Sequence, residues 1–381
     1  MDTYEISNNT IMKTNEEDCE ITIEENLQAI IDYDDFGIGE NIFEQFCLEK
    51  NIKEQTITNY SVALNSYCRF HDKSLRELLV EAMIDEHRRI PLKERRLKRR
   101  IVNWRTDLLS QTNSWNTIKT YVNKILAFYR HFEIEIPKIK PVQIDKPYQT
   151  SYLDLPNKTH IREVISNGQI PLWFQALILF MSSSGSAKAE TLSLTVQQFV
   201  DGTTDYHNGG SITEICNQLL LKKNVVPTFY LRRIKTDKWY YTFCSPEATE
   251  YICRYLLTRK DLELSDKLFP IEDNTLTQNF TKVNDRMGYG FKGRYRFFRS
   301  HTLRKFHASN INLGQEYVDA LQGRSKDYVH ETYIKTNPNE LKQIYMSAME
   351  NVMIFNEEKE EKHEEYHIHI NIFVSEDKIT L

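Results

Sequence analysis

Glycine and proline are scarce in this sequence, with 12 Gly and 10 Pro in 381 residues. A protein built from many short strands needs turn residues more often than that, so the scarcity points to helices. Cysteine is sparse too. Its six copies, Cys19, Cys47, Cys68, Cys216, Cys244 and Cys253, form no C-x-x-C pair. That fits a reducing compartment and small buried side chains better than a disulfide framework. No apolar run is long enough to span a bilayer. The polar opening residues, Met1 to Thr14, lack the apolar segment of a secretory signal. The expectation is a soluble cytoplasmic protein with no membrane partner. A positive overall charge is also missing: Lys and Arg number 49 against 54 Asp and Glu, a net charge of −5. Any affinity for nucleic acid must therefore come from where the cations lie.

What is present suits two helical domains. Hydrophobic residues at 40% and aromatics at 12% are enough for packed cores, and the length exceeds one ordinary domain. The expected division is an acidic tail over 1–39, a helical domain over 40–136, a linker over 137–151, a second domain over 152–353 and a tail over 354–381. The first tail, with Glu16, Glu17, Asp18, Asp32, Asp34 and Asp35, reads as solvated chain, an arm to a neighbouring subunit being the alternative. Trp115, Ile118, Val122, Ile125, Leu126 and Tyr129 recur at helical spacing behind Ser114, a good N-cap. Tyr60, Leu64 and Tyr67 repeat the pattern between Thr58 and Phe70. Pro137, Pro141 and Pro147 alternate with Lys138, Lys140 and Lys146, and proline favours the extended chain of a boundary. In the last tail, His363, His367 and His369 alternate with apolar residues, which suits a short strand better than a metal site.

Between the two helical segments of the first domain lies a run of cations: Arg88, Arg89, Lys93, Arg95, Arg96, Lys98, Arg99, Arg100 and Arg105. Most such runs are solvated helix faces. Here positive charges so outnumber nearby acids that they repel one another unless an anion intervenes, and phosphate is the expected anion. Arg95, Arg96, Lys98, Arg99, Arg100 and Arg105 are the candidate DNA-binding residues.

The second domain opens with two helices, Asn157 to Asn167 and the apolar Pro171 to Met181. Ser182-Ser183-Ser184-Gly185 closes the latter and leads into Glu190-Thr191-Leu192-Ser193-Leu194. Pro227 to Cys244 reads as two strands turning at Thr236-Asp237 and carrying Arg232, Arg233, Lys235 and Lys238. Ser245-Pro246-Glu247 has the order of cap, N1 proline and early acid that starts a helix. In Arg299-Ser300-His301-Thr302-Leu303-Arg304, Ser300 can cap a helix on which His301 and Arg304 share a face. An imidazole that moves protons beside a guanidinium that grips phosphate is what phosphoryl transfer requires. Chance supplies H-x-x-R often, so the pair alone is weak. Downstream stand Ala320-Leu321-Gln322-Gly323-Arg324-Ser325 and Glu331-Thr332-Tyr333-Ile334-Lys335.

In this order and spacing, the boxes resemble the catalytic domain of the tyrosine recombinases, the phage-type integrase family, from about Tyr152 to Ala348. The helical domain with its basic run resembles their core-binding domain. The resemblance implies a mainly α fold with a small antiparallel β-sheet, in which a helical core-binding domain and an α+β catalytic domain clamp duplex DNA. It implies site-specific recombination without cofactor or metal, by a homotetramer on paired double-stranded DNA sites. Accessory DNA-bending proteins are further partners, and archaeal and archaeal-virus integrases fall within the likeness. Residue by residue, Tyr333 would attack the scissile phosphate and hold a 3′-phosphotyrosine, so that resealing needs no high-energy cofactor. Tyr328 is its competitor, less well spaced from Gly323. Lys235 on the hairpin would protonate the leaving 5′-oxygen, with Lys238 the alternative. His301 would assist proton transfer, and Arg304 would neutralise nonbridging phosphate oxygens.

Two positions depart from the family pattern. Arg324 stands where the family usually has histidine; it can donate to phosphate but cannot shuttle a proton near neutral pH. Ala187 stands where the first catalytic arginine belongs, three residues before Glu190, with Lys188 beside it. Either Lys188 has taken the role, the register is shifted, or activity is impaired, naturally or by engineering. Two other readings remain open: a type IB-like topoisomerase and a catalytically impaired DNA-binding relative.

Overall fold

A computed structural model of the chain describes residues 41–111, 114–140, 151–324 and 337–355. The chain divides into two compact units, Met1–Pro147 and Tyr148–Leu381. The acidic N-terminal tail, most of the proline-lysine linker, Tyr328, Tyr333 and the histidine-bearing C-terminal tail lie outside the described residues.

The first unit is helical: α1 (Ile42–Glu49), α2 (Glu54–His71), α3 (Leu75–His87), α4 (Arg96–Ser110) and α5 (Trp115–His131). Ser114 caps α5, its Oγ accepting from Thr117 N at 3.1 Å. Ser74 and Glu77 close a reciprocal capping box on α3. Phe46, Leu64, Tyr67, Leu78, Ile101, Trp104, Ile125 and Phe128 form the buried centre, and Tyr67 meets Trp104 edge-on at 5.1 Å. The start of α4 is unusual, because its first turn is basic and opposes the helix dipole. Arg95, the N-cap, offers no side-chain cap. Asp85 of α3 replaces it: its carboxylate accepts Arg96 N at 2.7 Å and Arg96 Nε at 2.9 Å.

The second unit begins with α6 (Lys158–Asn167), α7 (Leu172–Ser184), α8 (Lys188–Ser193), α9 (Val196–Gly202) and α10 (Ile212–Leu220). A hairpin of β1 (Thr228–Arg233) and β2 (Lys238–Phe243) follows, then α11 (Pro246–Leu256) and α12 (Asp273–Arg286). A second, two-residue ladder, β3 (Phe291–Lys292) with β4 (Tyr295–Arg296), precedes α13 (Ser300–Asn310), α14 (Gln315–Leu321) and α15 (Pro338–Ala348). The architecture is thus mainly α with a small antiparallel sheet. Helix α7 is apolar all round and is the central element, with α11 and α13 packed on it. Its last turn buries three serines whose hydroxyls return to carbonyls within the helix, such as Ser183 Oγ to Leu179 O at 2.7 Å and Ser184 Oγ to Phe180 O at 2.7 Å.

Several helix starts match the sequence expectation, among them Ser245 capping α11 ahead of Pro246. The start of α13 does not. Ser300 is its first helical residue, and Arg299 is the cap, with extended backbone at φ −157°. Two bonds hold the chain there: Phe298 N donates to Asn284 Oδ1 at 2.8 Å, and Arg299 N donates to Thr302 Oγ1 at 3.1 Å. The hairpin turn spans Ile234 to Asp237, with Arg233 paired to Lys238 and Asp237 left-handed at φ 60°.

Candidate active site

Arg304 lies at the centre of a site assembled from separated parts of the chain. Its Nη1 donates to Gly185 O at 2.7 Å, and its Nη2 donates to Gln322 O at 2.8 Å. The box that ends α7 and the box that ends α14 are therefore joined through one guanidinium. Gln322 Nε2 donates back to Arg304 O at 3.1 Å and to His307 Nδ1 at 2.9 Å. An amide nitrogen can only donate, so Nδ1 accepts and the imidazole proton sits on Nε2.

Two glycines make the assembly possible. Gly185 has φ +66°, and a Cβ there would come within 2.6 Å of His307 Nδ1. Gly323 has φ +59°, and a Cβ there would press within 2.5 Å of the Tyr240 ring. Both positions need left-handed backbone and close approach, which glycine alone supplies without strain.

The hairpin closes another side. Thr242 Oγ1 donates to Ser184 O at 3.0 Å, and Lys238 Nζ donates to Arg324 O at 3.2 Å. Strand alternation turns Leu231, Arg233, Lys238 and Tyr240 to one face, and Tyr230, Arg232, Trp239 and Tyr241 to the other. On the first face, Arg233 Nη1 lies 3.5 Å from Glu190 Oε1, and Ile234 N donates to that oxygen at 3.2 Å. Tyr240 is pushed up to about 12 by burial first and then by the Glu190 carboxylate.

The electrostatics are those of crowded cations. Burial first, then the Arg233 charge, lowers Arg304 to about 10. His301 reaches the surface, yet desolvation of its ring, followed by the charges of Arg299, Lys305, Arg304 and Arg324, holds it down to about 4. It is neutral at pH 7. The fully buried His307 is lowered to about 3, chiefly by desolvation.

Not every expected site residue joins this cluster. Arg324 does stand at its edge, half-buried, its charge acting on His301 and Arg304 and its Nη1 3.6 Å from Asp319. Lys235 is exposed in the hairpin turn. Lys188 Nζ is held elsewhere, by Asp273 at 2.7 Å and Thr277 Oγ1 at 3.1 Å on α12. Tyr333, the expected nucleophile, and Tyr328 lie outside the described residues. Among the described residues, Tyr240 has a buried hydroxyl, and so does Tyr345, which donates to Ser183 O at 3.1 Å. Sequence reasoning missed Arg233 as a member of the site. Its inward position was available from alternation with buried Leu231.

In the first unit, the premise that the basic run lacks nearby acids needs correction. Arg95 meets Glu86 at 2.6 Å and Glu135 at 3.2 Å, Arg96 meets Asp85 at 2.8 Å, and Arg100 pairs with Glu81. Three of these carboxylates come from α3, close in space though not within the run. Arg105 Nη1 donates to Lys140 O at 2.7 Å. Arg99 is exposed and Lys98 half-buried, with no ion pair to either among the described residues. His71, Arg96, Arg99, Arg100 and Asn103 line one basic concavity.

Among the described residues, no cluster of three His, Cys, Asp or Glu is placed to hold a metal, and no helix is long and apolar enough to cross a membrane. No protein-family model matches the chain, and no curated protein matches it. Solved structures do. The chain is similar to the XerH site-specific recombinase bound to its difH substrate, at 14% identity, over 79% of this chain and 82% of that one, with a TM-score of 0.45. It is similar to a lambda integrase dimer bound to a COC′ core site, at 12% identity over 82% and 98%, TM-score 0.47. It is similar to the Tn1549 transposon integrase in complex with transposon right-end DNA, at 14% identity over 81% and 99%, TM-score 0.45. At such identities, and with TM-scores below 0.5, the likeness carries no weight for the chemistry.

Proposed function

We propose that the protein is a site-specific DNA recombinase that cuts and rejoins duplex DNA through a covalent 3′-phosphotyrosine. The observation that supports this best is the joining, through Arg304, of the Gly185 and Gln322 backbones into a cation-rich site beside the hairpin. Arg304 keeps a charge that its two carbonyl partners do not cancel, and with Arg233 and Arg324 acting on it the site suits an anion of concentrated charge.

In the proposed reaction the Tyr333 hydroxyl loses its proton and attacks phosphorus. The Tyr333 O–P bond forms as the P–O5′ bond breaks, and the leaving 5′-oxygen takes a proton from Lys235 or Lys238. His301 is neutral and can receive the tyrosine proton, the more readily once a phosphate anion offsets the cations that depress it. Arg304 and Arg324 stabilise the charge gathering on the nonbridging oxygens. Rejoining reverses these steps with a new 5′-hydroxyl. Double-stranded DNA is the substrate, a homotetramer on paired sites is the working assembly, and accessory DNA-bending proteins are further partners. In the first unit, Lys98 and Arg99 are the phosphate ligands, while Arg95, Arg96 and Arg100, engaged by carboxylates, and Arg105, engaged by Lys140 O, contribute little to DNA binding.

The test is covalent trapping. Incubated with a pool of nicked duplexes, the wild-type chain should form a protein–DNA adduct that Tyr333→Phe abolishes and Tyr328→Phe retains. The reverse pattern transfers the role to Tyr328. A folded wild-type chain that binds duplex yet forms no adduct supports the DNA-binding reading, which Ala187 favours. Relaxation of supercoiled plasmid without exchange in a two-duplex junction assay supports the topoisomerase reading.

A further inference from the structure

Ala187 has no side chain that can reach a phosphate, and Lys188, its neighbour, is held by Asp273. The turn of α8 that begins at Ala187 nevertheless carries a guanidinium from elsewhere. Glu190, three residues on and nearly fully buried, accepts Ile234 N at 3.2 Å and lies 3.5 Å from Arg233 Nη1. The end of β1 is thus pinned on the helical turn that starts at Ala187, and period-two alternation turns Arg233 inward with Tyr240. Arg233 is also under-used there. Its Nη1 is buried and makes no hydrogen bond among the described residues, and Glu190 Oε2 likewise has no hydrogen-bond partner among them. A buried guanidinium nitrogen without an acceptor is costly unless a ligand completes it.

We propose that Arg233 supplies the second phosphate-gripping guanidinium of the site, delivered from the hairpin in place of the arginine that position 187 lacks. Arg304 would grip the phosphate from α13 and Arg233 from β1, with Glu190 holding the latter's fork in orientation. The ligand class is a tetrahedral oxyanion, and in the working protein the scissile phosphodiester. The hairpin face that carries Arg233 also carries Tyr240, whose ring lies against Gly323, next to the Gln322 carbonyl that accepts from Arg304. Burial first, and then the Arg233 charge, lowers Arg304. This assignment deepens the strand-transfer reading and rests on it for the identity of the ligand, but not for the anion site itself.

The experiment therefore has two arms on the full chain. In the first, orthotungstate binding is measured by titration calorimetry. Arg233→Ala should weaken it at least tenfold, and Arg233→Lys, which keeps a charge for Glu190 but loses the fork, should weaken it severalfold. Lys188→Ala should leave it unchanged, and an Arg99→Ala control accounts for anion bound by the other unit. If Arg233→Ala does not fold, Arg233→Lys decides. Tungstate binding that ignores both Arg233 variants, or its absence from wild type, overturns the proposal. In the second arm, single-turnover adduct formation with nicked duplexes should fall roughly 10²–10³-fold in Arg233→Ala, and adding Ala187→Arg should recover at least tenfold. An unchanged adduct rate in the folded Arg233 variant also overturns it. If wild type binds tungstate through Arg233 but forms no adduct, the strand-transfer reading fails and the anion site stands.

Discussion

The two units each gather arginines, but they treat them in opposite ways. In the first, Arg95, Arg96 and Arg100 are largely neutralised by Glu86, Glu135, Asp85 and Glu81. Asp85, only 1% exposed, serves as ion-pair partner and helix cap together. In the second, Arg304 is 6% exposed and bonded to two backbone carbonyls, which satisfy its donors without cancelling its charge. Glu190 and Asp319 are the nearby acids, at 3.5 and 3.6 Å from Arg233 and Arg324. The lesson is that cation density along a chain and cationic potential in space are different quantities. Close carboxylates make Arg95, Arg96 and Arg100 hold a fold together, whereas Arg304, held by carbonyls, keeps its charge for an anion, and the acids of Arg233 and Arg324 stand farther off.

Arg304→Ala is the strongest way to probe that contrast. Removing one donor to a developing oxyanion costs about 2.7–4 kcal/mol, so single-turnover adduct formation should fall roughly 10²–10³-fold. A rate within threefold of wild type would place the charge-stabilising site elsewhere.

Arg96→Ala should instead damage stability, because it leaves a buried carboxylate short of a partner. The expected loss is about 1–3 kcal/mol, read from the urea midpoint of the first unit's transition. If stability is unchanged while duplex affinity collapses, Arg96 is a phosphate ligand after all.

Acid should act through His307. Its folded pKa, about 3, lies below the unfolded value of about 6.5. The unfolded chain therefore binds more protons, and stability rises with pH across that interval. The contribution is fully present above about pH 6.5 and is lost as the pH falls toward 3. His307→Gln should flatten the dependence of Tm on pH between 7 and 5; an undiminished slope would assign it to other groups.

A smaller effect is expected from Lys98→Ala with Arg99→Ala. Every phosphate that is no longer neutralised should reduce the log–log salt slope of duplex binding by roughly 0.9, whereas Arg96→Ala should hardly move it. Equal slopes in all three would return the run to ordinary solvated surface. The smallest effect belongs to Lys188→Ala. Its pair with Asp273 is substantially exposed, worth about 0–1 kcal/mol, and adduct formation should persist. A folded but inactive Lys188→Ala would reinstate the lysine as a functional residue.

Much of the site's composition was legible along the chain. Arg304 and His301 share a helix, the glycines at 185 and 323 mark sharp turns, and a hairpin bears the candidate lysines. The misreadings have a common cause. Ser300 looked like a cap, but Asn284, fourteen residues or more away, helps hold the backbone so that Arg299 takes that place. The basic run looked unneutralised because Asp85 and Glu81 belong to a separate helix that folds back against it.

Local chemistry decided what depends on neighbours within a few residues: Ser114 capping α5, Ser245 and Pro246 opening α11, and the apolar run that makes α7 the centre of its unit. These follow from backbone donors and side-chain periodicity, which act over one or two turns. Tertiary structure decided which charge meets which partner. Arg304 reaches Gly185 across 119 residues of sequence, and Arg233 reaches the α8 turn that begins at Ala187 only because the hairpin docks on Glu190. Pair energies depend on ångström separations and burial, and neither is defined until the chain has folded back on itself.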